Sequence, residues 1–96
     1  MNRTAVNKTE EWKTIIEDII QRNAEFRYQL LDRLKIDCNY YLGYGNRYPK
    51  HLWAHNEDLQ IELMIKLHDS FDKDKKPEWI TMGEILEYKK KMTITE

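Results

Sequence analysis

Cysteine is almost missing from this chain of 96 residues: Cys38 stands alone, so an internal disulfide is excluded, and the expected setting is reducing and cytoplasmic. Apolar runs never exceed two to three residues, which excludes a transmembrane helix. The polar start Met1-Asn2-Arg3-Thr4 lacks the apolar core of a secretory signal. Only two prolines and three glycines interrupt the chain, leaving long stretches in which nothing opposes a helix. Charge of one sign is also lacking, because 16 Lys/Arg nearly balance 17 Asp/Glu. Locally the balance breaks: residues 27–53 carry five Lys/Arg against two Asp/Glu, whereas residues 56–72 carry one against five. Such neighbouring segments of opposite sign favour pairing within the domain, or contacts in a dimer, over strong attraction to a polyanion.

What is present is helical periodicity. Trp12, Ile15, Ile16, Ile19 and Ile20 fall on one face of a helix expected over 9–22, opening at Thr9 with Glu10 and Glu11 behind it. Residues 1–8 are expected to be flexible. Phe26, Leu30, Leu31, Leu34, Cys38, Tyr41 and Leu42 form a second stripe that ends at Gly43. Asn23 is the expected break between the two, with one continuous helix as the alternative. Asn56-Glu57-Asp58 opens a third helix. Leu59, Ile61, Leu63, Met64, Ile65, Leu67 and Phe71 cover so much of its circumference that it is expected to be central. Asp72 to Pro77 alternates charge and reads as a solvated turn. Thr81 and Glu84 have the spacing of a capping box for a last helix bearing Met82, Ile85, Leu86 and Met92, and 93–96 is expected to fray. The expected fold is all-α: a single domain of three to four helices with an ordered, aromatic-rich loop between the second and third.

That loop is the most distinctive segment. Five of the eleven aromatic residues lie in 40–53: Tyr40, Tyr41, Tyr44, Tyr48 and Trp53. Interleaved with Arg47 and Lys50, such rings suit a protein interface, and they also have the composition that stacks bases and contacts phosphates. Trp53 and Tyr41 equally suit a lid over the core. His51 and His55 have the i, i+4 spacing of helical metal ligands, with Cys38, His68 or Asp37 as completing groups, but Pro49 argues against a helix there and no second ligand pair exists. No metal is therefore expected. Cys38 sits on an apolar stripe, the position of a core residue rather than a nucleophile. Gly43-Tyr44-Gly45-Asn46 follows a helix and lacks the further glycine or Lys-Ser/Thr of phosphate-binding loops, so a turn explains it better and no cofactor is expected. No catalytic constellation is found.

The run Leu30-Leu31-Asp32-Arg33-Leu34 into Asp37-Cys38-Asn39-Tyr40-Tyr41, then Gly43-Tyr44-Gly45-Asn46, Lys50-His51-Leu52-Trp53-Ala54 and Pro77-Glu78-Trp79-Ile80-Thr81, resembles a large-polyvalent-protein-associated domain of bacterial conjugative elements and phages. The likeness covers about residues 28–92, within a family-like core of 24–92, and leaves out the extra N-terminal helix. By this resemblance Gly43, Gly45, Asn46, His51, Leu52, Trp53, Pro77 and Trp79 are signature positions. Such modules accompany helicase, methylase, protease or antirestriction regions, or stand alone, and no catalytic role is attached to their motifs. With the ring-rich loop and the lack of a catalytic constellation, the resemblance leads to the expectation of a non-enzymatic accessory module of a mobile element that acts through a protein partner; a monomer or weak homodimer is expected. Tyr44, Arg47, Tyr48, Lys50 and His51 are the candidate contacts, and nucleic-acid binding by the same loop is the alternative.

Overall fold

The computed structural model describes residues 3–92 and contains four α-helices: α1 (Arg3–Ile20), α2 (Ala24–Leu42), α3 (Glu57–Asp69) and α4 (Met82–Met92). Two short 3-10 turns, Pro49–His51 and Lys73–Lys75, sit in the connections, and the described residues include no strand. The expected fraying of 93–96 lies outside the described residues, as do Met1 and Asn2. Helix α1 begins six residues before Thr9 because Arg3 to Lys8 holds no proline or glycine to stop it, so Thr9 is interior and not a cap.

α1 and α2 are separate helices. Asn23 is extended and its Oδ1 accepts from the Phe26 amide at 2.8 Å, so the side chain opens α2 where the backbone leaves α1. Asn56 does the same for α3, accepting from the Leu59 amide at 3.0 Å. At α4 the capping box closes in both directions: the Glu84 amide donates to Thr81 Oγ1 and the Thr81 amide donates to Glu84 Oε1, each at 3.1 Å. Lys76 Nζ donates to the carbonyls of His68 (2.7 Å) and Phe71 (3.0 Å), satisfying groups left open at the end of α3.

Helix α3 packs against α1, α2 and α4 and is the centre of the molecule. Ile61, Leu63, Met64 and Leu67 of α3 are buried among Ile16 and Ile19 of α1, Leu30, Leu31, Leu34, Cys38 and Tyr41 of α2, and Ile85 and Met92 of α4. Leu52, Phe71 and Ile80 extend this core from the connections. The Cys38 thiol lies within it, 3.7 Å from Met64 Sδ. Burial, reinforced by the neighbouring Asp37 carboxylate, pushes its pKa up to about 12, so the neutral thiol is the stable form.

Candidate functional site

The loop between α2 and α3 is built around Tyr41. Its ring is completely buried, and its hydroxyl donates to Glu57 Oε2 at 2.6 Å, joining the end of α2 to the start of α3. Burial first, then this bond to a carboxylate, pushes the phenol up to about 12. From there the chain turns sharply. The Gly45 amide donates to the Tyr40 carbonyl at 2.6 Å and the Arg47 amide to the Tyr41 carbonyl at 2.8 Å. A Cβ on Gly45 would stand 2.8 Å from that Tyr40 oxygen and 3.1 Å from Tyr41 Cα, which explains glycine there. Positive φ falls on Asn46 (55°) and Arg47 (61°), not on either loop glycine.

Gln60, fully buried, holds the far side of the loop. Its Oε1 accepts from the Ala54 amide at 2.9 Å and its Nε2 donates to the Leu34 carbonyl at 3.3 Å. Leu52 is buried in the core, and Trp53 is half-buried against Trp12 of α1, ring centroids 6.2 Å apart. Gln60 escaped the sequence reading, because one polar residue on an apolar helix gives no sign of which backbone groups it will serve.

The five candidate contacts do not form one patch of free side chains. Arg47 reaches across to α4, where its Nη1 donates to the Lys91 carbonyl at 2.9 Å. It lines a cavity of about 560 Å³ with Asn39, Leu42, Gly43, Glu84, Glu87, Tyr88 and Lys91, in which the Tyr88 hydroxyl donates to Asn39 Oδ1 at 2.9 Å. Positive and negative side chains both line that cavity, so it carries no net preference. Tyr48 and His51 gather on the outer side of α2: His51 meets Tyr40 edge-on at 5.2 Å and Tyr48 at 6.1 Å. All three are exposed, Tyr48 by 57% and Tyr40 by 46%. Ile36, one turn before Tyr40 on α2, is 55% exposed and extends the apolar face. Tyr44 projects at 89% exposure and Lys50 is exposed. Ile36 was absent from the sequence expectations, yet the signal was present: it falls off the buried stripe of α2.

Of the later signature residues, Pro77 is buried and Trp79 is 39% exposed. The fully buried residue beside it is Ile80. No group of three or more His, Cys, Asp or Glu among the described residues could hold an ion.

These features define a small all-α domain with a ring-bearing loop fastened at both ends. The chain belongs to the family described as large polyvalent protein-associated domain 11, whose model matches residues 24–92. No curated protein and no solved structure matches it. Helix α1 lies outside the matched region, so Ile16, Ile19 and Trp12 add a layer to the family's own core.

Proposed function

We propose that this chain is a non-enzymatic accessory module of a bacterial mobile genetic element that works by binding a protein partner through the face formed by Ile36, Tyr40, Tyr48 and His51, with Tyr44 at its edge. The observation that carries the reading is the contact among Tyr40, His51 and Tyr48 in full view of solvent. Rings already held against one another lose little further freedom on binding, and tyrosines on a fixed backbone are the usual anchors of protein interfaces. Membership of a family named for its association with large polyvalent proteins supports the same reading. Nucleic-acid binding is less favoured because the Arg47 guanidinium bonds a helix-end carbonyl instead of standing free for phosphate.

Affinity capture from cells carrying the element, with wild-type protein and a Tyr40→Ala/Tyr48→Ala double variant, tests the reading. A partner retained by the first and lost by the second is expected. Equal recovery by both, or none by either, contradicts it, and binding to single-stranded DNA that collapses with added salt replaces it.

A further inference from the structure

A second, chemically sharper feature lies away from the ring face. Tyr28, Gln29, Asp32 and Trp79 line a shallow groove of about 340 Å³ between α2 and the segment leading to α4. In a chain with 16 Lys/Arg, this lining includes no cation: it offers two aromatic rings, an amide and a carboxylate. Both rings are placed by other bonds. Tyr28 stacks on Phe71 at 4.4 Å with planes 14° apart, and its hydroxyl donates to the Lys75 carbonyl. Trp79 is fixed through its backbone, whose carbonyl accepts from Lys35 Nζ at 2.6 Å. The same Nζ stands 5.9 Å from the indole centroid, so this ring already attracts a cation. The two ion pairs among the described residues, Arg22–Asp18 and Arg33–Asp37, leave Asp32 unengaged.

We infer that this groove is a seat for an arginine side chain of a protein partner. Aromatic faces and a carboxylate together match a guanidinium better than an ammonium, because the planar guanidinium stacks on rings and presents paired N–H donors to a carboxylate. Gln29 adds an amide oxygen as a further acceptor. The groove accounts for a signature tryptophan that is left partly in solvent instead of packed in the core.

The groove does not involve the Tyr40–His51–Tyr48 face, and its test uses no partner protein, so either proposal can fail alone. The ¹⁵N-labelled full chain is titrated with N-acetyl-arginine amide, N-acetyl-lysine amide and the uncharged N-acetyl-citrulline amide. Saturable shifts of the Trp79 indole N–H and the Gln29 and Asp32 amides are expected with arginine, with weaker binding of lysine and no saturation with citrulline. Asp32→Asn, with an otherwise unchanged spectrum, weakens arginine binding by roughly fivefold, the size of one partly exposed ion pair. Absence of saturation, equal response to citrulline or lysine, or an unchanged affinity in Asp32→Asn overturns the assignment.

Discussion

At Gly45 the backbone passes so close to Tyr40 that a methyl group would collide with a carbonyl oxygen at 2.8 Å. Gly45→Ala should therefore lower stability by about 1–3 kcal/mol, the usual cost of overpacking, measured by urea unfolding. A second residue-scale prediction concerns His68, which is buried in α3. Burial first, and then the positive Lys76, lowers its pKa below the ordinary histidine value. The unfolded chain thus takes up a proton more readily than the folded one near and below about pH 6.5. Stability should be full above that pH and fall as the pH drops through the window between the unfolded and folded values. Comparing urea midpoints at pH 7.5 and 5.5, for wild type and His68→Gln, checks this: the variant should lose much of the pH dependence, whatever its absolute stability. Trp79 teaches the limit of reading single residues. Its sequence neighbours Pro77 and Ile80 are the buried ones, and nothing in the order Pro-Glu-Trp-Ile distinguishes a ring in the core from one beside it. Trp79→Ala should cost about 1 kcal/mol, against about 2–5 kcal/mol for Ile80→Ala, by the same unfolding measurement.

Among the elements, α4 is the shortest helix and carries Gly83 in its first turn, where an added Cβ would meet only Thr81 Oγ1 at an ordinary 3.7 Å. Gly83→Ala should raise stability by about 0.5–1 kcal/mol, read as a higher urea midpoint, because alanine narrows the unfolded ensemble without a clash. Helix α1 is the opposite case, an element outside the family region that buries Ile16 and Ile19. At ~1.5–3 kcal/mol for each buried isoleucine, deleting residues 1–22 should cost about 3–6 kcal/mol in unfolding free energy. Element existence was legible in the sequence wherever a side chain caps the start of a helix. Asn23, Asn56 and the Thr81–Glu84 pair do this locally, within three residues. The start of α1 was not legible, since Arg3 to Lys8 contains no breaker and its Thr4 and Asn7 are as eligible to open a helix as Thr9.

Across the whole molecule, the loop's shape is decided by groups far apart in sequence, which is why its composition could be read but its arrangement could not. Gln60 of α3 bonds both Ala54 and the Leu34 carbonyl, while Arg47 bonds the end of α4. With Arg47 drawn to α4, the remaining rings gather as Tyr40, His51 and Tyr48 on the outer face of α2, the surface on which the proposed function depends. The most direct test places a photo-crosslinking amino acid at Tyr48, and separately at the exposed Glu17 of α1, in cells carrying the element. One discrete protein adduct formed from position 48 and absent from position 17 is the expected result. Equal labelling from both positions, or adducts with nucleic acid alone, would contradict the account.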